Sequence, residues 1–217
     1  MAVKVKVSRG GKETVGTFLN PRWVSVFEIP GFEERMKHIR GEVRPALVAL
    51  SEALEDRLDG EGPRPYFSHV ASHMRRRINP PPETWLALGP NKRGYKAYAH
   101  VGVFIGSPGV SVRFVLKDEA SDERRRLGDW MNAHPNAFSS WLSSISGVLD
   151  FGPVHDRPDE TPSPIAWKAK TFGERLSSLK TASLDIGFRI GFETTLPELV
   201  QLIRVFEPLY AEAGNGF

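Results

Sequence analysis

Tyr95-Lys-Ala-Tyr-Ala-His-Val-Gly-Val-Phe-Ile105, followed by Ser107-Pro-Gly109 and Val110-Ser-Val-Arg-Phe-Val-Leu116, predicts two β-strands joined by a tight turn. In both segments large aliphatic side chains alternate with other residues, which is the period of a half-buried strand. The strand register is therefore predicted from the requirement that the aliphatic side chains share one face. This register pairs Val101 with Leu116, Val103 with Phe114 and Ile105 with Val112.

The opposite face of this hairpin is partly polar, and we expect it either to meet water or to line a groove. It carries Lys96, Tyr98, His100, Phe104 and Arg113.

Around the hairpin, strands and helices are intermixed without a regular βαβ period, which predicts an α+β fold with a mixed, mostly antiparallel sheet and helices packed on it. A length of 217 residues favours one domain, predicted over residues 18–217, with residues 1–17 as a strand or hairpin extension. Further strands are predicted at Thr84–Leu88, Val148–Phe151 and Ser183–Ile190. Helices are predicted at 31–58 with a bend near Gly41 and Pro45, at Tyr66–Arg77, Ser121–Asn132, 138–145, Phe172–Leu179 and Leu196–Ala213, and a Pro-rich loop at 153–164.

Composition excludes several classes of function. The chain has no cysteine, so disulfides, cysteine-ligated zinc and thiol catalysis are excluded. The chain has no run of about 18 apolar residues, which a membrane-spanning helix requires. The alternation Val3-Lys-Val-Lys-Val7 is unlike a targeting helix. We expect a cytoplasmic protein with no membrane partner and no cofactor, and the oligomeric state stays open.

A basic segment runs from His69 to His100 and contains three of the six histidines. It holds six Lys and Arg residues and one acid, Glu83, so it carries a net charge of +5 against +3 for the whole chain. Such a local concentration of positive charge is typical of a site for an anion.

Three motifs in and near this segment carry a resemblance to a known family. They are His69-Val-Ala-x-His-x-Arg-Arg, Asn79-Pro-Pro-x-x-Thr-Trp and Asn91-Lys-Arg-Gly-Tyr-Lys. With these motifs the chain resembles the YktB-like family of bacterial proteins, a domain of unknown function, over roughly residues 18–210. The resemblance implies a single α+β domain, and it implies no established activity and no catalytic residue.

Two kinds of site are compatible with the histidines. On a helix over 66–77, His69 and His73 would lie one turn apart, and His100 could add a third imidazole for zinc. However, the motif holds no carboxylate, and the neighbouring arginines repel a cation. We therefore favour an anion site without metal, in which arginine and lysine hold phosphate oxygens and aromatic rings stack on a base.

Known catalytic motifs do not decide the function. The chain has no Gly-x-Ser-x-Gly elbow, no His-Glu-x-x-His zinc motif and no Walker phosphate loop. The leading hypothesis is a binding module with a basic, aromatic-lined cleft for a phosphate-bearing ligand, a nucleic acid first. The alternatives are a small enzyme that uses histidine or a histidine-bound metal on an anionic metabolite, and a scaffold or stress protein without a ligand. The candidate binding residues are His69, His73, Arg75, Arg76, Trp85, Lys92, Arg93, Tyr95, Lys96, Tyr98, His100 and Arg113.

Overall fold

The computed structural model describes residues 13–58, 60–74, 76–144, 150–151 and 165–215, with backbone only at 150–151 and 165–170. Within these residues six strands form one sheet in the order β1-β2-β3-β4-β6-β5, and each neighbouring pair is antiparallel. The α+β, single-domain prediction is confirmed. The strands are β1 Phe67–Val70, β2 Glu83–Gly89, β3 His100–Gly106, β4 Gly109–Leu116, β5 Asp150–Phe151 and β6 Leu184–Ile190.

Helices pack on the sheet and on one another. They are α1 Val15–Phe18, α2 Phe32–His38, α3 Arg44–Leu58, α4 Ser121–Ala133, α5 Pro135–Ser144, α6 Ile165–Ser178, α7 Leu196–Arg204 and α8 Glu207–Gly214, with a 3₁₀ segment at Pro21–Glu28. A π-helical turn, Ile39–Val43, joins α2 to α3, and Pro45 follows two residues later. The sequence predicts a bend here because proline cannot donate a hydrogen bond to the preceding turn. α3 packs on β1 and β2, and α7 packs on β4.

The aliphatic face of the hairpin forms the centre of the core. Val103, Val112 and Phe114 are fully buried there, as the alternation predicts. The register differs from the predicted one, because Val103 pairs with Val112 and Val101 with Phe114. A shift of two residues keeps each side chain on its face, so the predicted division into an aliphatic and a polar face survives.

The turn between β3 and β4 explains the shift. Gly106 pairs with Gly109, which leaves only Ser107 and Pro108 in the loop. Gly109 has φ +106°, a conformation that side chains rarely tolerate, so glycine permits this short connection.

The predicted helix over Tyr66–Arg77 is wrong. Phe67–Val70 is the edge strand β1, and it pairs with residues 86–89 of β2. Ala71 continues the contact by donating its backbone N–H to the Trp85 carbonyl at 2.9 Å. Short apolar runs fit a helix or a strand equally well, and here pairing with a buried neighbouring strand outweighs the helical period.

The N-terminal residues that the structure describes also depart from the predicted extension. Val15–Phe18 is a helical turn and not a returning strand, and Val15 is fully buried. Thr14 forms a β-bridge with Thr195, just before α7. Residues 1–12 and the predicted loop 153–164 lie outside the described residues, so a domain boundary at residue 17 stays a prediction.

The closing helix is divided in two. The sequence predicts one helix over Leu196–Ala213, whereas α7 ends at Arg204 and α8 begins at Glu207, followed by Pro208. Proline is well tolerated in the first turn of a helix, which fits a new start here. Among the described helices, none is both long and apolar enough to cross a bilayer.

Candidate anion-binding site

A cavity of about 460 Å³ lies on the polar side of the sheet. Its walls come from the segment that follows β1, from Trp85 in β2, from residues 95–96 before β3, and from the residue that follows β4. This volume falls in the range of small-ligand sites. The lining residues are Val70, Ala71, Ser72, His73, Met74, Arg76, Trp85, Tyr95, Lys96 and Lys117.

The charged residues that line this cavity all carry positive charge. Arg76, Lys96 and Lys117 line it, and its lining includes no carboxylate. The positive charge of Arg40, on the π-helical turn, also acts on His73. Because these cations come from four separate parts of the chain, the fold concentrates positive charge that would otherwise be dispersed.

His73 is held in an unusual backbone conformation, with φ 51°. Its Nε2 lies 3.0 Å from the Thr84 hydroxyl, and its ring meets the Trp85 ring edge-on. Burial, followed by the charges of Arg76, Arg40 and Lys96, lowers the pKa of His73 to about 4. At neutral pH this side chain is therefore an uncharged imidazole in the cavity wall.

Trp85 and Tyr95, which line the cavity, contact each other and further aromatic side chains. Trp85 donates its indole N–H to the Tyr95 hydroxyl at 3.0 Å, and its ring stacks on Phe104 with centroids 5.7 Å apart. The Tyr95 ring in turn contacts His69 and His100. Trp85 is half-buried, so part of its ring remains open to a ligand.

The histidines of the basic segment, His69, His73 and His100, do not assemble a metal site. His69 Nε2 lies 2.8 Å from the Asn91 carbonyl, and His100 Nδ1 lies 3.0 Å from the Tyr98 carbonyl. His100 is fully buried, which lowers its pKa to about 3. Throughout the described residues, no group of three histidine or acidic side chains is arranged to hold a metal ion.

Several predicted binding residues lie apart from the cavity lining. Lys92 covers the Phe67 ring at 5.1 Å, Arg93 is exposed, and the Tyr98 hydroxyl accepts a hydrogen bond from Asn91. Arg75 lies outside the described residues. Of the twelve predicted residues, the structure thus places five around the cavity: His73, Arg76, Trp85, Tyr95 and Lys96.

Arg113 is used in a buried ionic cluster, which we call the Glu83–Arg113–Asp185 cluster. Its guanidinium donates to Glu83, lies 3.3 Å from an Asp185 oxygen and covers the Phe104 ring at 3.7 Å. Arg113 and Asp185 are each 3% exposed. The cluster therefore lies directly beside the Trp85–Phe104 pair that supports the cavity.

Both acids of this cluster are hard to ionise. Burial raises the pKa of Asp185 to about 6, although the Arg113 charge opposes the rise. Burial likewise raises the pKa of Glu83. In both cases the cost of removing a carboxylate from water exceeds the stabilisation by arginine.

We expect the stability of the protein to fall as the pH rises from about 4 to about 6, because native Asp185, with pKa about 6, keeps a proton that an unfolded chain with pKa 3.8 has released. Asp185→Asn removes this titration and should flatten the curve of unfolding free energy against pH in that interval. Urea unfolding at several pH values measures the curve. Asp122→Asn, on a carboxylate that is 72% exposed, is the matched control and should leave the slope unchanged.

Lys117 is the cavity residue that sequence reasoning missed. It follows β4 directly, and its position has the same parity as Arg113, which the alternation had already assigned to the polar face. Extending the strand pattern by one residue would have found it. The acids of the Glu83–Arg113–Asp185 cluster could not be found in this way, because their meeting requires the pairing of β6 with β4.

A larger depression of about 780 Å³ runs along the start of α7. Its lining holds Glu193 and Glu198 and no cation, and Glu198 is already bonded to the backbone and side chain of Thr195. The lining of this depression is therefore acidic, whereas the lining of the cavity beside Trp85 is basic.

The fold and the cavity define a class of protein: a single α+β domain with a helix-covered antiparallel sheet and a cationic cavity on the other face. The profile of the family described as Domain of unknown function (DUF1054) matches residues 22–203, and the chain belongs to this family. The resemblance predicted from the three motifs is thereby confirmed.

Relatives support the same assignment. A UPF0637 protein of Bacillus mycoides is 42% identical over 213 residues, which are 91% of this chain and 98% of that protein. A UPF0637 protein of Bacillus cytotoxicus is 33% identical over 178 residues, or 78% of this chain and 80% of that protein. A UPF0637 protein of Staphylococcus carnosus is 41% identical over 102 residues, or 47% of this chain and 50% of that protein.

Proposed function

We propose that this protein is a binding module that takes up a small phosphate-bearing ligand in the cavity beside Trp85. The observation that carries the proposal is the convergence of Arg76, Lys96 and Lys117 on one cavity whose lining has no carboxylate. Arginine binds phosphate oxygens through its planar fork, and lysine adds a point charge. The half-buried Trp85 ring offers a stacking surface for a ring on the same ligand.

The size of the cavity favours a single phosphorylated unit. About 460 Å³ is at the lower end of the range for ligand pockets, so it fits one small molecule and not a chain of nucleotides. Neutral His73 in the wall adds hydrogen-bonding capacity without repelling or attracting charge. This is the leading hypothesis from the sequence, a binding module for a phosphate-bearing ligand, with a small molecule in place of a nucleic acid.

A single-stranded nucleic acid is the second candidate, and exposed cations outside the cavity favour it. Arg77, Lys92 and Arg93 are exposed, and within the described residues none of them has an acidic partner in an ion pair. If these cations continued the site, an oligonucleotide would bind more tightly than a mononucleotide. Its affinity would also fall more steeply with salt, because each neutralised phosphate releases counterions.

The test compares a nucleoside monophosphate, its phosphate-free nucleoside and a single-stranded oligonucleotide by calorimetry. We expect the monophosphate to bind, and Lys96→Gln to weaken it about tenfold or more, because a charge-assisted hydrogen bond is worth roughly 1.5–3 kcal/mol. Arg93→Gln, on the same connection but outside the cavity lining, is the matched control and should change affinity by less than about twofold.

Two results would contradict the proposal. Equal affinity for the nucleoside and its monophosphate would show that the phosphate is not recognised. Binding of the oligonucleotide alone, weakened equally by Lys96→Gln and Arg93→Gln, would transfer the function to nucleic acid.

A further inference from the structure

Lys117 differs from the other cations of the cavity. It is half-buried, whereas Arg76 and Lys96 are exposed at the cavity rim. Its Nζ lies 5.4 Å from the centre of the Trp85 ring. Within the described residues this ammonium group has neither a hydrogen bond nor a salt bridge, although Asp118 and Glu119 follow it in the chain.

The surroundings of Lys117 make its ammonium group a stronger acid than that of an exposed lysine. Burial lowers the pKa of Lys117, and the charge of Lys96 lowers it further. The charges of Glu119, Asp185 and Asp118 oppose this shift. A lysine that is desolvated and placed beside another cation is the form of lysine that attacks carbonyl carbon atoms, since only the neutral amine is a nucleophile.

The second requirement for such chemistry is a carbonyl held within reach of the amine. The proposed phosphate site meets it, because Arg76 and Lys96 line the same cavity as Lys117 and would retain the anionic end of a ligand. The neutral imidazole of His73 lines this cavity too and can accept a proton from a reacting group. The groups that would hold the ligand and the amine that would react with it therefore line the same cavity.

We propose that Lys117 forms an imine with a small ligand that carries both a phosphate group and an aldehyde or ketone. The Nζ lone pair attacks the carbonyl carbon, and proton transfer from nitrogen to oxygen gives a carbinolamine. Loss of one water molecule then gives the imine, and addition of water reverses the reaction. No oxidant or reductant is consumed. This inference rests on the proposed phosphate-binding function.

The experiment uses two probes that differ at one carbon atom. Pyridoxal 5′-phosphate has an aldehyde where pyridoxine 5′-phosphate has an alcohol, and both carry the phosphate and an aromatic ring. The full-length protein is incubated with pyridoxal 5′-phosphate, reduced with borohydride and digested, and the modified lysines are located by mass spectrometry. We expect labelling of Lys117 to exceed that of exposed Lys37 and Lys92 by about tenfold, as directed attack in a site requires.

Lys117→Arg keeps the positive charge but cannot form an imine. It should abolish the imine absorbance, and pyridoxine 5′-phosphate, which cannot form an imine, measures separately how far the substitution changes phosphate binding. Lys96→Gln should weaken binding of both probes, and circular dichroism of each variant checks the fold.

The outcomes separate the two proposals. Binding of pyridoxine 5′-phosphate without imine formation at Lys117 would overturn the covalent step alone. Failure of both phosphates to bind would overturn the phosphate-binding function as well. Labelling spread evenly over Lys37, Lys92 and Lys117 would also overturn the inference, because it would show undirected reaction at surface amines.

Discussion

Arg113→Met should lower the free energy of unfolding by roughly 3–5 kcal/mol, the usual cost of removing one partner from a buried ionic cluster. The substitution removes the arginine charge from beside Glu83 and Asp185, whose side chains are only 14% and 4% exposed. The loss should be smaller at pH 5 than at pH 8, since both acids can be protonated at the lower pH. Urea unfolding followed by circular dichroism at the two pH values measures it.

Two further variants test the cause of this loss. Arg125→Met removes an arginine that is 61% exposed and paired at the surface, and it should cost less than about 1 kcal/mol. Combining Arg113→Met with Glu83→Gln and Asp185→Asn should recover much of the stability, because no charge then remains in the cluster. A loss in Arg113→Met no greater than that in Arg125→Met would refute a structural role for the Glu83–Arg113–Asp185 cluster.

Glu123→Ala should also destabilise the protein by roughly 3–5 kcal/mol, because it leaves a mostly buried arginine without its partner. Glu123 is 4% exposed, and its carboxylate accepts from Arg64 at 2.5 Å and from the backbone N–H of Ala99 at 2.6 Å. This carboxylate thus joins α4 to the residue that precedes β3. The variant should unfold at a lower urea concentration, measured by circular dichroism.

The neighbouring acid provides the control for this prediction. Asp122 lies on the same helix, but it is 72% exposed and pairs with Arg125 at the surface, so Asp122→Ala should cost less than about 1 kcal/mol. Glu123→Gln should fall between the two, because the amide oxygen can still accept from Ala99. Similar stability losses in Glu123→Ala and Asp122→Ala would contradict the proposed contribution of burial.

Local patterns account for the correct part of the predicted fold. Alternation along Val101–Ile105 and Val110–Leu116 identifies two strands and their buried face, because side chains on a strand alternate with a period of two. The exact register depends on the loop between Gly106 and Gly109, which alternation does not specify. The same limit explains the error at Phe67–Val70, since four residues are too few to distinguish the two periods.

The candidate site also contains residues that the sequence predicts and contacts that only the fold determines. A basic segment with interleaved aromatics predicted Arg76, Trp85 and Lys96, and the structure places all three in the lining of one cavity. The polar face of the predicted hairpin also suggested Arg113, which in the structure instead pairs with two buried acids. A charged residue that stays exposed and one that pairs with a buried acid cannot be distinguished in a sequence, because only the fold determines which of them is buried.

Residue order alone therefore establishes the two strands of the hairpin, which face of them is apolar and where positive charge is concentrated, because these properties depend on neighbours in the chain. The pairing of Arg113 with Asp185 and the arrival of Lys117 beside Trp85 arise only on folding. Both require strands distant in sequence to pair in one register, and that register results from burial and hydrogen bonding summed over the whole sheet.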